Sequence, residues 1–277
     1  MRNEEFDIME LDLHTHTTYS DGDLDILGNV DRAISLGLDG IAITDHDNVE
    51  SWEVIDQNLY PILVIKGVEL STYYKGSSVH VLGYYLNDDG DYQELSEKLE
   101  IRHRERLDRI DRMIDLLKPL GIEISRDDIL SKKQGVISTS HLANAILSKY
   151  PELNLSFDDI YKYYIGKGAP AYVPGNKTNT EDAIELLKRN HCLVVLAHPL
   201  LIKRVDYHEL LDLGIEGIEG IYPYPFEIND NVVNVGDENN LLVTGGSDYH
   251  GPITRNTMGK AYLEGDRAKT FLKRINL

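Results

Sequence analysis

One apolar run after another in this sequence breaks off at His, Asp or Glu, and that recurrence constrains the fold more than any other feature. The first is Glu10-Leu11-Asp12-Leu13-His14-Thr15-His16, where Leu11 and Leu13 alternate with Asp12 and His14 in the period of a short strand. A Ser20-Asp21-Gly22 turn signal then ends the strand. The same event recurs at Ile41-Ala42-Ile43 before Asp45 and His46, Val64 to Glu69, Val79-His80, Leu193 to His198, and Leu242 to Asp248 and His250. Side chains two apart on an extended backbone point the same way. His14 and His16 can therefore face one ion, with Asp21 carried back by the turn.

Between these runs the pattern alternates. Leu24, Ile26, Leu27, Val30, Ala33 and Ile34 predict a helix over 23–37 that Gly37 closes, and a second helix is expected over 49–59. Strands are expected over 62–70 and 78–86, joined by the turn Tyr73-Tyr74-Lys75-Gly76. A long charged helix follows over 92–117, spaced by Leu95, Leu99, Arg102, Arg106, Ile110, Met113 and Leu117, and shorter helices over 126–132, 140–149 and 157–165. Strands resume at 192–197, 217–222 and 241–246, with helices at 180–190, 206–212, 229–239 and 266–275. Strand and helix in alternation, with chemically active residues at strand ends, predict a (β/α) barrel whose distant strands converge on one rim.

A chain of 277 residues, 42% of them hydrophobic, can bury one large core or a core with an insertion. Its single cysteine, Cys192, excludes an intramolecular disulfide and a thiolate metal cluster, and its apolar setting predicts burial. The charged start Met1-Arg2-Asn3-Glu4-Glu5 has no apolar stretch behind it, and no run is long enough to span a bilayer. A cytoplasmic protein with no membrane partner is expected. The net charge of −19 repels long polyanions, so no stable complex with long nucleic acid is expected. With Asp21, Glu69 and Asp248 as the anionic ligands, three divalent cations would still make the site itself positive.

Taken together, Asp12-Leu13-His14-Thr15-His16 with Asp21 and Gly22, Thr44-Asp45-His46, Gly67-Val68-Glu69, His80-Val81-Leu82-Gly83-Tyr84, Ala197-His198-Pro199 and Gly246-Ser247-Asp248-Tyr249-His250-Gly251 resemble the PHP (polymerase and histidinol phosphatase) family of metal-dependent phosphoesterases. The resemblance implies an α/β fold, a distorted (β/α)7 TIM-like barrel over 1–98 and 179–277, with a helical insertion domain over 99–178. It is nearest the nucleotide phosphatase and exonuclease branch. Two or three divalent ions are implied: one on His14, His16, Glu69 and Asp248, a second on Glu69, His80 and His198, a third on Asp21, His46 and His250. Nitrogen and oxygen ligands suit Mn, Fe or Zn.

The implied reaction is hydrolysis of a phosphate monoester on a small phosphorylated metabolite or nucleotide by a metal-bridging hydroxide. Asp248 shares in catalysis, and His198 or His250 assists proton transfer. The alternatives are a 5′-to-3′ exonuclease on short oligonucleotides, a histidinol-phosphatase-like enzyme, and a non-catalytic metal-stabilised module. Asp12 and Asp45, each beside a ligand histidine, are expected to fix imidazole tautomers from the second layer. Glu219, closing another apolar run, suits a hydrogen-bonding role at the rim or a catalytic one. Nucleotide-hydrolysing relatives carry Arg-x-His-x-x-Arg on the insertion, whereas this chain reads Thr139-Ser140-His141-Leu142-Ala143-Asn144, with both arginines replaced. Substrate contacts are then expected from His141, Lys167, Lys203 and Arg204.

Overall fold

The structure is a computed structural model describing residues 9–130, 137–224, 226–252 and 256–277. From β1 (Glu10–Thr15) the chain runs through α1 (Ile26–Leu36) to β2 (Gly40–Ile43), and through α2 (Ser51–Val54) to β3 (Leu63–Tyr74) and β4 (Ser77–Tyr85). Next come α3 (Gln93–Leu117), α4 (Arg126–Leu130), α5 (Thr139–Lys149) and α6 (Phe157–Ile160). After β5 (Thr178–Asn179) and α7 (Thr180–Arg189) the alternation returns with β6 (Cys192–Leu196), α8 (His208–Leu211), β7 (Gly217–Ile221), α9 (Phe226–Glu238) and β8 (Leu242–Gly245). A short β9 (Leu263–Glu264) and α10 (Gly265–Arg274) follow.

The strands form one sheet in the order β8-β7-β6-β4-β3-β2-β1-β9, with β5 paired beside β3. This sheet curls into a nearly closed barrel. Its seam is sealed just beyond β8, where His16 N–H donates to the Tyr249 carbonyl (2.9 Å) and Tyr249 N–H to the His14 carbonyl (3.3 Å). Gly246 makes this approach possible, because a Cβ there would overlap the backbone and Cβ of His14. The barrel departs from an all-parallel one at β4, which runs antiparallel to both β3 and β6. A tight turn at Lys75-Gly76, with no crossover helix between β3 and β4, dictates that direction.

By its contacts the chain divides into two compact units, Met1–Glu97 with Thr178–Leu277 and Lys98–Lys177. In the first, Leu11, Leu13, Ile65, Leu82 and Val195 from the strands pack with Phe271 and Leu272 of α10, while Ile26, Val30 and Ala33 of α1 cover Ile41 and Ile43 of β2. Asp25 caps α1 by accepting from Gly28 N–H, and Gly37 closes it at φ 83°. In the second unit Ile110, Met113 and Leu117 of α3 pack with Leu142 and Ile146 of α5 and Ile160 of α6. Among the described residues no helix is long and apolar enough to cross a membrane.

Periodicity missed three local features. The helix expected over 49–59 survives only as α2 and a separate 3-10 turn, Gln57–Leu59. Asp56 breaks it by accepting from Asn58 N–H, a local bond that competes with helix continuation. The helix expected over 157–165 widens after Ile160 into a π turn, Tyr161–Ile165. Two strands, β5 and β9, add to the expected seven. Each has two residues, too few to show alternation. The expected helix over 126–132 is seen to Leu130, and its end lies outside the described residues.

Candidate metal centre

Each barrel strand delivers its polar side chain by a local device. β1 ends with His14 and His16 fully buried, and the loop behind it is folded around Asp45. Asp45 Oδ1 accepts from Thr17 N–H (2.8 Å) and Ser20 Oγ (2.6 Å), and Oδ2 from Thr17 Oγ1 (2.7 Å). That fold returns Asp21 towards His16, His46 and His250. Past β2, His46 forms a parallel bridge with Glu69 of β3, and Asp47 N–H donates to the Glu69 carbonyl (2.9 Å). His198 and Asp248 leave β6 and β8 with φ of 25° and 54°. Side chains rarely take such positive φ, at a cost of about 1–3 kcal/mol each, and here the conformation aims both residues inward.

Glu69 stands at the centre, fully buried. Its Oε1 accepts from His80 Nδ1 (2.8 Å) and His198 Nε2 (2.9 Å). Its Oε2 lies 3.0 Å from His46 Nδ1 and 3.3 Å from both His14 Nε2 and His16 Nε2, yet makes no hydrogen bond. His14 Nε2, His16 Nδ1, His46 Nδ1 and His198 Nδ1 are likewise buried without a hydrogen-bond partner. Asp248 Oδ1 approaches His14 Nε2 (3.4 Å) and accepts from His16 Nε2 (3.1 Å). Asp21 Oδ1 lies 3.3 Å from His250 Nε2.

Among the described residues, three groups have ligand atoms within 4.8 Å of one another: His14, His16, Glu69 and Asp248; His16, Asp21, His46 and His250; and His46, Glu69 and His80. Buried polar atoms normally find partners, so two orphaned imidazole nitrogens, His14 Nε2 and His46 Nδ1, facing an orphaned carboxylate oxygen fit a shared cation better than a self-contained network. The charges agree. Burial opposes ionisation of Glu69, but His46, His14 and His80 outweigh it and hold its carboxyl well below the usual range. Burial likewise disfavours the charged form of His46, yet Glu69 and Asp21 raise it to about 10.

A sequence profile of the PHP domain matches residues 12–140, the stretch that carries His14, His16, Asp21, His46, Glu69 and His80. The chain belongs to the PHP family. It is 26% identical to a phosphoribosyl 1,2-cyclic phosphate 1,2-diphosphodiesterase of Eggerthella lenta over 88% of this chain and 95% of that one. It is 30% identical to the 5′-3′ exoribonuclease Rnm of Escherichia coli over 68% of this chain and 64% of the relative. With a 3′,5′-nucleoside bisphosphate phosphatase of Chromobacterium violaceum it shares 27% identity over 87% of each. A crystal structure from Bifidobacterium adolescentis, named for a metal-dependent phosphoesterase, superimposes with a TM-score of 0.79 at 25% identity, over 95% of this chain and 96% of the other. This PHP-family chain is accordingly a phosphoesterase of the metal-dependent class, built on a distorted TIM-like barrel.

Within the PHP barrel, the nine residues expected as ligands all meet at one mouth. The grouping differs in detail, since the cluster around Glu69 and His80 takes in His46, while His198 reaches the same carboxylate from β6. Asp12 and Asp45 do not touch imidazoles in the way expected. Asp12 accepts from the backbone N–H of Ser247 (2.8 Å), His14 and Gly259 (both 3.3 Å), and burial pushes its carboxyl up to about 6. Short carboxylates beside strand ends reach backbone, and both therefore shape the loops that present the ligands. The bond to His14 comes instead from Glu219, whose Oε1 accepts from His14 Nδ1 (2.8 Å).

Of the expected substrate contacts, Lys203 and Arg204 lie exposed on the loop leaving His198, with Arg204 donating to the Gly76 carbonyl (3.3 Å). His141 and Lys167 belong to the helical unit, where His141 Nδ1 accepts from Ser138 N–H (3.1 Å) in a capping box and Lys167 is exposed. Thr139 Oγ1 accepts from Tyr161 Oη (3.1 Å). Two residues escaped sequence reasoning. Tyr222 Oη donates to Asp248 Oδ2 (2.8 Å), and Asn256 Nδ2 reaches the same oxygen (3.3 Å). Tyr222 carried a signal, because it closes the same apolar run as Glu219.

Proposed function

We propose that the chain hydrolyses phosphate esters of a small phosphorylated metabolite or nucleotide, with Mn, Fe or Zn ions held at the barrel mouth. His14, His16, Glu69 and Asp248 hold one ion, Glu69, His80 and His198 a second, and Asp21, His46 and His250 a third. The supporting observation is Glu69 Oε2, buried within 3.3 Å of three imidazole nitrogens and hydrogen-bonded to none. Divalent ions in such a setting lower the pKa of a bound water towards about 7 and neutralise phosphoryl oxygens.

The chain's own residues supply the rest. His46, His80, His250 and Asp21 are the most exposed members of the cluster and frame the opening that substrate enters. His250 Nδ1 donates to the Asp248 carbonyl (2.8 Å), which leaves its Nε2 as the nitrogen that faces the mouth. Whichever of His250 and His198 is not committed to an ion carries the proton to the leaving oxygen. Lys203 and Arg204, exposed on the loop that leaves His198, serve as the phosphate grip.

A 5′-to-3′ exonuclease acting on short oligonucleotides is the second reading, favoured by the similarity to Rnm. The charge of −19 weighs against long substrates in either case. Cytoplasmic residence belongs to the same proposal and agrees with a single, buried, unpaired cysteine. The test is elemental analysis of the purified protein, followed by phosphate-release assays on nucleoside bisphosphates, cyclic phosphates and short oligonucleotides. Activity is expected to vanish on chelation and return with Mn²⁺. Turnover that survives exhaustive chelation overturns the metal reading, and preferential stepwise shortening of oligonucleotides selects the exonuclease.

A further inference from the structure

Among the strands that ring the barrel mouth, β7 supplies none of the proposed ligands, yet its C-terminal end holds two buried side chains bonded to ligands from three other segments. Glu219 is almost wholly buried, and both its oxygens are used. Oε1 accepts from His14 Nδ1 (2.8 Å) and Oε2 from the backbone N–H of His198 (2.8 Å), the residue with φ of 25°. With Oε1 accepting here, the proton of this contact sits on His14 Nδ1, and Nε2 is left to face Glu69 and Asp248. Just past the strand, Tyr222 donates to Asp248 Oδ2 (2.8 Å), which leaves Oδ1 directed at His14 and His16. The Tyr222 ring also meets the His198 ring edge-on, with centroids 5.5 Å apart.

We propose that Glu219 and Tyr222 are positioning residues through which β7 sets the ligand geometry, Glu219 by fixing the His14 tautomer and seating His198, Tyr222 by restricting Asp248 to one oxygen. The proposal rests on the metal reading above. Outer partners of this kind hold ring orientation and ligand basicity, and their loss costs about 10–100-fold in metal affinity. Glu219→Gln is the informative variant. Its one carbonyl oxygen can serve only one of the two N–H donors, and an amide N–H placed against His14 favours the opposite tautomer, with the proton on Nε2.

The experiment measures Zn²⁺ affinity of wild type, Glu219→Gln and Tyr222→Phe by competition with a chelating dye, and records the histidine ¹⁵N spectrum of each Zn²⁺-loaded protein. Glu219→Gln is expected to bind about 10–100-fold more weakly and to move the His14 resonances away from the Nδ1-protonated, Nε2-ligated pattern; Tyr222→Phe is expected to bind about tenfold more weakly. The spectrum matters because a side chain that only braces the fold lowers the melting temperature without changing the His14 tautomer. Wild-type affinity and an unchanged His14 spectrum in Glu219→Gln overturn the role of Glu219. If that variant fails to fold, Tyr222→Phe, which loses only a hydroxyl, decides the role of β7 alone. A wild-type protein that takes up no Zn²⁺ overturns the metal reading itself, an outcome distinct from variants that bind as wild type does.

Discussion

The imidazoles of His16 and His250 stack with centroids 4.0 Å apart and planes 20° from parallel, although one ring stands at the end of the first strand and the other beyond the last barrel strand. Two imidazolium rings repel at that distance. Burial, reinforced by the charges of His250 and His46, pushes His16 down to about 3, so it enters the cluster as a neutral base.

His46 behaves oppositely, and the pH dependence of metal binding follows from it. Its folded pKa of about 10 lies above the unfolded value near 6.5, so without metal its charge stabilises the fold fully below about 6.5 and that contribution is lost as pH rises through about 10. A ligand must be neutral, so metal affinity climbs across the same window, about tenfold per pH unit for each proton displaced. Thermal melts between about pH 6.5 and about pH 8.5, with chelator and with Mn²⁺, should show the metal-free protein weakening and the metal-induced shift growing. Parallel curves would contradict this.

Glu69→Gln should cost the protein at least one bound ion and lower turnover at least about a hundredfold, because Glu69 belongs to two of the three ligand groups. Removing one partner of a buried charge cluster also destabilises the metal-free fold by about 3–5 kcal/mol. Inductively coupled plasma analysis and urea melts check both. Full metal content in the variant would remove Glu69 from the centre.

Gly246→Ala tests the seam. The added methyl meets His14 Cβ and N, so β1 and the end of β8 must part, at a cost of about 1–3 kcal/mol or more. The urea midpoint and Mn²⁺ affinity should fall together. A stable variant with normal affinity would show that His14 does not depend on this closure.

Neutralising Lys203 and Arg204 together should raise KM about tenfold with little change in kcat, as expected for groups that hold phosphate without sharing in the reaction. Steady-state kinetics on the best substrate decides it. An unchanged KM would return both residues to the solvated surface.

Cys192 is expected to be inert. Burial, with a smaller contribution from Asp88, pushes its thiol up, and thiolate is the reactive form. Native protein should not react with Ellman's reagent within the time that urea-unfolded protein reacts fully. Prompt labelling in the native state would show that the β6 end opens.

Much of this protein was legible in its residues. His14, His16, His46, Glu69, His80, His198, Asp248 and His250 were each marked by an abrupt switch from apolar to ligating chemistry and Asp21 by the turn behind the first of them, and the barrel followed because such switches recur at strand ends. The breaks at Asp56 and Ile160, and the two-residue strands, were not legible, since a local bond, a widened turn and a pair of residues leave no period. Nor could spacing tell that Asp12 bonds backbone while Glu219, on a distant strand, bonds His14. Residue type determines what a side chain can ligate; which partner it meets depends on strand order and on positive-φ turns such as those at His198 and Asp248. Those are properties of the closed barrel, because contacts between strands far apart in sequence exist only once the sheet has curled round to join β8 to β1.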